Sequence, residues 1–118
     1  MINVTVFNRS SALCGFSCKG HSGYAESGSD IVCAGVTSAV GLCVCMLTDV
    51  LGLSPDITVN EKTAEVRCIL NERDAVRGEE MLKAFKLHIS SLAEDYSEYI
   101  SLREEKLNSY ERKGNFNA

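Results

Sequence analysis

The chain has 118 residues, a formal net charge of −4, and a composition of 45% hydrophobic and 24% charged residues. This length is typical of one domain with one core, and this composition argues against global disorder. The slightly acidic balance argues against a broad phosphate-binding surface, so we expect no direct nucleic-acid partner.

The cysteine content raises the question of disulfides. The chain has six cysteines, and an even number in a short chain is typical of a secreted disulfide framework. The N-terminus, however, leads directly into Ile-Asn-Val-Thr-Val-Phe, which has none of the features of a signal peptide. We therefore expect free thiols and a cytoplasmic protein.

Two stretches near the N-terminus have the alternation of a β-strand. Ile2 to Phe7 places isoleucine and valine on one side and asparagine and threonine on the other, which is the period of two of a strand. After a polar turn, Ala12 to Lys19 alternates again. We predict an antiparallel hairpin whose second strand ends at the edge of the sheet and delivers Gly20 and His21 there.

A loop with one of the two histidines of the chain follows this hairpin. Gly20, Gly23 and Gly28 punctuate it and make its backbone pliable. The histidine, His21, lies directly after the first of these glycines. We therefore expect its side chain to be carried by a movable segment.

A long apolar helix is predicted next. From Ile31 to about Leu53 the sequence is apolar nearly all round, which predicts a helix that is buried on most sides. Ser29 or Asp30 is a suitable N-cap. Residues 31–48 carry no charge and approach the length of a membrane span. No Lys or Arg flanks them, so we expect a core helix and no membrane association.

The second half of the chain repeats the order of strands and helix. Residues 57–59 and 63–70 flank a polar turn and predict a second hairpin. Residues 79–96 have helical periodicity, and residues 99–104 predict a short last strand. The apolar stripe of the helix consists of Met81, Leu82, Phe85, Ile89, Leu92 and Tyr96.

The predicted fold class is α+β, with one domain in the order ββαββαβ and a small sheet on which two main helices pack. We assign residues 1–104 to this domain. Residues 105–118 are mostly polar, and we expect them to form a loose tail.

The loop histidine and the start of the apolar helix together favour thiol chemistry. Cys33 lies in the first helical turn, where the helix dipole and a nearby imidazolium both stabilise a thiolate. His21 lies on a loop that can fold over it. The backbone N–H groups of the first turn, including that of Cys33, are available in principle to hold an oxyanion.

Two polar residues beside this pair have two interpretations each. Asp30 either orients His21, as the third member of a catalytic triad does, or only caps the helix. Thr37 lies one turn after Cys33. Its hydroxyl either donates to the thiolate or bonds back to a helix carbonyl. A lone cysteine in an apolar helix is most often a core residue, so the residues alone leave catalysis open.

The remaining cysteines do not predict a metal site. Cys14 and Cys18 are followed by His21 at a spacing that resembles a metal-binding motif. On one strand, however, the two thiols are about 13 Å apart at roughly 3.3 Å per residue, too far for one zinc ion. Cys43 and Cys45 are two residues apart on a helix and face different ways. We expect no metal and no other cofactor.

Several segments of the sequence resemble the ribosomal-processing cysteine protease family, Prp. The family pattern is of the type Gly-His-Ala-x-x-x-x-x-Gly-x-Asp-Ile-Val-Cys-Ala-Ala-Val-Ser. The chain matches it at Gly20–Gly23 and Gly28–Ala34. The helix start at Gly78–Leu82 and the segment Tyr99–Leu102 are similar as well, so the resemblance covers residues 1 to about 104.

The resemblance implies a cytoplasmic cysteine endopeptidase that forms homodimers. Its substrate is the precursor of a large-subunit ribosomal protein, number twenty-seven in bacterial naming, whose N-terminal extension it removes after an aromatic-rich stretch. Cys33 corresponds to the nucleophile and His21 to the base, while Asp30 and Thr37 correspond to accessory polar positions. The loop with Gly20, Gly23 and Gly28 corresponds to a segment that gates the site.

The chain departs from the family pattern at three positions. Ser22 and Gly35 each replace an alanine, and Thr37 replaces a serine. All three keep a small or hydroxyl side chain. Two other functions remain open: a non-catalytic ribosome-associated or assembly protein of the same fold, and a redox-sensing thiol protein. The second is disfavoured because no Cys-x-x-Cys pair is present.

Overall fold

The computed structural model describes residues 1–26 and 28–108. These residues form two helices and five strands in the predicted order ββαββαβ. The strands are β1 (Ile2–Arg9), β2 (Ala12–Lys19), β3 (Asp56–Asn60), β4 (Glu65–Ile69) and β5 (Ile100–Lys106). The helices are α1 (Ile31–Cys45) and α2 (Glu72–Asp95), and α1 continues into a wider π-helical turn (Met46–Val50).

The strands form one sheet in the order β3-β4-β2-β1-β5. β1 pairs with β5 in parallel, and the other neighbours are antiparallel. The first hairpin is confirmed, but β2 lies inside the sheet, between β1 and β4, and not at its edge. Strand β4 of the second hairpin pairs with the side of β2 that β1 leaves free, so β2 has a neighbour on both sides. The loop with His21 therefore leaves from the end of an inner strand.

The helices lie on one face of the sheet. Val6, Phe16 and Cys68 are register partners on adjacent strands and are buried. The ring of Phe16 packs on that of Phe85 from α2, with centroids 4.5 Å apart. Apolar residues on this face of three strands thus meet α2, and α1 packs beside α2.

Helix α1 differs from its prediction because it is not buried on most sides. Its buried residues, together with Leu47 of the following turn, form a single stripe: Val32, Val36, Cys43 and Leu47. Ile31, Leu42 and Val50 are 57%, 66% and 67% exposed. The rest of the described chain covers only one side of this helix. An apolar sequence does not specify how many neighbours a helix will have.

By length and composition alone, the 20-residue segment Ile31–Val50 could cross a membrane, and 22% of its 18-residue apolar window is buried. A single such helix is weak evidence for a membrane span, because core helices of soluble proteins pass the same test.

Helix α2 begins seven residues earlier than predicted. Asn71 caps it by accepting a hydrogen bond from the Asp74 N–H at 2.8 Å. The sequence of the first turns shows no apolar stripe, because their buried side carries small residues such as Ala75 and Gly78. A Cβ on Gly78 would lie 2.7 Å from a methyl carbon of Leu70, so glycine permits the close approach of α2.

The last strand begins one residue later and ends two residues later than predicted, because Glu105 and Lys106 continue its pairing with β1. Leu107 is buried after it. Residues 109–118 of the predicted tail lie outside the described residues.

Candidate active site

A cleft of about 770 Å³ opens at one end of the sheet, between α1 and the strand ends. It is lined by all four residues that the sequence singles out: His21, Asp30, Cys33 and Thr37. The structure therefore brings the predicted dyad and its accessory residues to one place.

The floor and the helix wall of the cleft are mainly apolar. The sheet contributes Ile2, Cys18, Val59 and Val66, and α1 contributes residues such as Val36 and Val40. An apolar cleft with a few polar groups is typical of a ligand-binding or active site.

Asp30 is the N-cap of α1. Its Oδ1 atom accepts hydrogen bonds from the N–H groups of Val32 at 3.0 Å and Cys33 at 2.9 Å. The carboxylate therefore fixes the first turn of the helix and, with it, the backbone of the nucleophile candidate. Of the two N-cap residues that the sequence allows, the structure selects Asp30 over Ser29.

The second carboxylate oxygen of Asp30 faces the loop. Its Oδ2 atom accepts a hydrogen bond from the Ser22 hydroxyl and a longer one, 3.4 Å, from the Ala25 N–H. The Ser22 bond, followed by the bond from the Cys33 backbone, lowers the pKa of Asp30 to about 2. Asp30 is thus a carboxylate at neutral pH, with both oxygens engaged.

This arrangement corrects the expected oxyanion site. The sequence leaves the N–H of Cys33 available to an oxyanion, but in the structure it donates to Asp30. The Val32 N–H is engaged in the same way. A side-chain cap satisfies the N–H groups that a helix start would otherwise leave free. Asp30 also makes no hydrogen bond to His21 among the described residues, so the structure offers no support for a triad.

The loop holds His21 close to the thiol. The N–H of Ser22 donates to Cys33 Sγ, with nitrogen and sulfur 3.4 Å apart. Covalent geometry places the Cα of the preceding residue about 2.4 Å from that nitrogen. His21 Cα therefore lies within roughly 6 Å of the sulfur. From there an imidazole reaches a thiol by a side-chain rotation.

Cys33 is half-buried and His21 is exposed. The side chain of His21 forms no hydrogen bond within the described part of the chain. The chemistry available to this pair is proton transfer between an imidazole and a thiol at a helix N-terminus, which generates a nucleophilic thiolate.

The other predicted site residues line the same cleft. Thr37 is exposed, and its hydroxyl makes neither of the two hydrogen bonds considered for it, as far as the described residues go. Gly20, Gly23 and Gly28 have positive φ values of 97°, 73° and 95°. A Cβ on Gly20 would also lie 2.6 Å from the Met1 carbonyl oxygen. In this structure the loop forms a wall of the cleft and leaves it open.

Burial disfavours the thiolate form of four other cysteines, Cys14, Cys18, Cys43 and Cys68. Burial raises the pKa of Cys43 and of Cys68 to about 12 and also raises that of Cys14. Burial, with a smaller effect from the neighbouring Cys33, raises the pKa of Cys18 to about 11. Residues 1–26 and 28–108 hold no group of three His, Cys, Asp or Glu side chains arranged for a metal ion.

The sequence did not reveal two features of the site. Ser22 contacts both Asp30 and Cys33, and its only signal was the departure from alanine in the family pattern. Tyr24 packs edge-on against Tyr96 and Tyr99, with centroids 5.9 and 5.2 Å away. The tyrosines lie more than 70 residues apart in sequence, so no local pattern could have paired them.

The fold is shared with solved structures of bacterial proteins. An S. aureus ribosomal processing protease Prp, with a covalently linked product peptide, matches with a TM-score of 0.80 at 23% identity. The match covers 88% of this chain and 99% of that one. The same protease with a substrate peptide matches with a TM-score of 0.76 at 21% identity and the same coverages.

A Streptococcus mutans protein, SMU.848, matches with a TM-score of 0.76 at 25% identity, over 91% of this chain and 96% of that one. No curated protein sequence matches significantly. The family model described as cysteine protease Prp matches residues 1–101. With a histidine and a half-buried thiol in one cleft of the matched region, the chain belongs to the cysteine protease Prp family.

Proposed function

We propose that this protein is a cytoplasmic endopeptidase that removes the N-terminal extension from the precursor of a large-subunit ribosomal protein, number twenty-seven in bacterial naming. The observation that carries the proposal is the contact of the Ser22 N–H with Cys33 Sγ, which keeps His21 beside the thiol in an open apolar cleft. The S. aureus relative, which holds a substrate peptide, supports the substrate class.

The reaction has two steps. The Cys33 thiolate attacks the scissile carbonyl carbon, and protonated His21 gives its proton to the leaving amine. Water, deprotonated by His21, then hydrolyses the thioester and restores the thiol. Asp30 acts by fixing the first turn of α1 and the loop, since its oxygens are engaged there.

The cleft suits a hydrophobic stretch before the cut. Its floor of Ile2, Val59 and Val66 offers apolar contacts to an aromatic-rich segment. The net charge of −4 on the enzyme is favourable for a basic ribosomal substrate.

We also propose a homodimer. The outer face of α1 exposes three large apolar side chains, Ile31, Leu42 and Val50, and exposed apolar side chains on one helix face are suited to a protein interface. Leu42→Glu should shift the protein toward monomer in sedimentation equilibrium. Leu87→Glu is the matched control, because Leu87 is 71% exposed on α2. A monomeric parent protein, or equal shifts in both variants, would contradict this interface.

The test of the function is a cleavage assay. The purified protein and its Cys33→Ala variant are incubated with a peptide that spans the extension and the mature start, and mass spectrometry locates the cut. We expect a single cut after the aromatic stretch with the parent protein and none with Cys33→Ala.

Cys45→Ala is the matched control, because Cys45 is the exposed thiol at the other end of the same helix. It should cut as the parent does. If the peptide binds but stays intact, the protein is a non-catalytic binding protein of this fold. If Cys33→Ala still cuts, the nucleophile lies elsewhere.

A further inference from the structure

We propose that Ser22 is a positioning residue that holds the base and the nucleophile together. This inference rests on the proposed function, because it concerns the same His21–Cys33 pair. The family pattern has an alanine at this position, so the hydroxyl is a feature of this chain.

Ser22 is the anchored residue of the loop. It is only 3% exposed. Its hydroxyl donates to Asp30 Oδ2 and accepts from the Tyr24 N–H at 3.0 Å. Its own N–H donates to Cys33 Sγ at 3.4 Å. Three hydrogen bonds thus tie one residue to the helix cap, to the thiol and to the continuing loop.

His21 depends on this anchor. It precedes Ser22 directly, and the pair is flanked by Gly20 and Gly23, both with positive φ. Glycines with such freedom let the two residues between them swing as a unit. Because the imidazole makes no hydrogen bond among the described residues, the attachment of Ser22 sets where the base can reach.

The hydroxyl acts on the reaction without contacting the substrate. Ser22 is not among the residues that line the cleft, whereas His21 and Cys33 are. Its loss should therefore affect the turnover of bound substrate more than substrate binding. Misplacement of a reacting group by about 1 Å can cost on the order of 10²-fold in rate. Removal of the hydroxyl leaves the backbone N–H in place, so we expect a smaller loss.

The experiment compares Ser22→Ala with Ser22→Thr, which keeps a hydroxyl, and with Ser29→Ala. Ser29 is a matched control because it is a serine of the same loop whose exposed hydroxyl, among the described residues, donates to the Glu26 carbonyl. For each full-length variant, kcat and KM are measured on the peptide, and thermal melting confirms the folded state.

We expect Ser22→Ala to lower kcat about five- to tenfold with KM changed less than twofold. Ser22→Thr should recover most of kcat, and Ser29→Ala should match the parent. An unchanged kcat in Ser22→Ala, an effect confined to KM, or an equal loss in Ser29→Ala would overturn the proposal.

A second readout does not need peptide cleavage. Iodoacetamide labelling of Cys33 is followed by mass spectrometry, with Cys45 in the same molecule as the internal reference. Since the imidazole and the Ser22 N–H both favour the thiolate, Ser22→Ala should lower the Cys33:Cys45 labelling ratio several-fold.

A raised ratio would mean that the hydroxyl holds a cover over the thiol, and this would refute the positioning role. If no protein cuts the peptide while the ratio falls as expected, the proposed substrate fails and the role of Ser22 stands. If the parent cuts the peptide and the ratio does not change, the role of Ser22 fails and the proposed function stands.

Discussion

The two ends of helix α1 each carry a thiol within reach of solvent, in very different surroundings. At the N-terminal end, Cys33 lies in the first helical turn, which the Asp30 carboxylate beside it caps, and its Sγ accepts the N–H of Ser22. At the other end of α1, Cys45 lies where the helix passes into the π-helical turn, with Sγ 3.9 Å from a carboxylate oxygen of Asp49. The helix dipole stabilises an anion in the first turn of the helix, whereas the Asp49 charge disfavours an anion at Cys45.

From this difference we expect position on the helix, and not residue type alone, to select the reactive cysteine. Both residues belong to the same apolar helix, and both have solvent access. Only Cys33 has a histidine on the adjoining loop and a cleft in front of it.

The largest effect concerns the base, which only the N-terminal end possesses. His21→Ala should reduce peptide cleavage by about 10²- to 10⁴-fold, since general acid–base catalysis contributes that much. The measurement is kcat/KM on the peptide of the cleavage assay, which spans the extension and the mature start. His88→Ala is the matched control, because His88 is exposed on α2. Equal losses in both variants would remove His21 from the mechanism.

The second effect is the difference in thiol reactivity. In the parent protein at neutral pH, Cys33 should react with iodoacetamide at least about ten times faster than Cys45, because thiolate is the reacting form. Peptide mapping by mass spectrometry gives both rates from one sample. The buried Cys14, Cys43 and Cys68 should stay unlabelled. Faster labelling of Cys45 would contradict the contrast between the two ends.

A smaller effect should reduce the difference in labelling rate between Cys33 and Cys45 by making Cys45 more reactive. Asp49→Asn removes the negative charge beside Cys45, and like charge disfavours a thiolate. Labelling of Cys45 should therefore rise about two- to threefold, while that of Cys33 stays the same. A change at Cys33 of equal size would indicate a disturbed helix, and circular dichroism provides the check.

The smallest effect concerns stability at the N-terminal end. The pKa of Asp30, held near 2 first by the Ser22 hydroxyl, lies below the usual carboxyl value. Ionised Asp30 therefore stabilises the fold fully above about pH 4, and this stabilisation is lost as the pH falls through 2. Asp30→Asn keeps the cap but not the charge. Its melting temperature should be lower than that of the parent at pH 5, and the gap should close toward pH 2.

A gap that is constant from pH 5 to pH 2 would show that the Asp30 carboxylate contributes no pH-dependent stability. Asp49→Asn is the appropriate comparison here, because it removes a carboxylate from the other end of the same helix.

Much of the fold follows from local patterns. The alternation in residues 2–7 and 12–19 predicts the first hairpin, and the spacing of Leu82, Phe85 and Ile89 predicts the buried side of α2. The start of α2 was misplaced because small residues such as Gly78 carry no hydrophobic signal. A glycine is needed at position 78 because Leu70 and Leu47, from other parts of the chain, pack where a Cβ would lie.

In the candidate site, too, some features follow from the local sequence and others from contacts between distant residues. The sequence places a histidine on a glycine-rich loop and a cysteine in the first turn of a helix, and the resemblance to the family pattern predicts that the two act as a pair. It does not decide how Asp30 is used. Both interpretations were compatible with its position, and the engagement of its oxygens by the Ser22 hydroxyl and by two N–H groups decides the matter.

The sequence by itself therefore determined the order of elements and the position of Cys33 at a helix start, because these depend on local periodicity and spacing, while the resemblance to the family pattern predicted His21 as its partner. Only the tertiary structure decided which side of α1 is covered, how Ser22 ties the loop to the helix cap, and that Tyr24 meets Tyr96 and Tyr99. Those features depend on contacts between residues far apart in the chain, which form only when the sheet and both helices have packed.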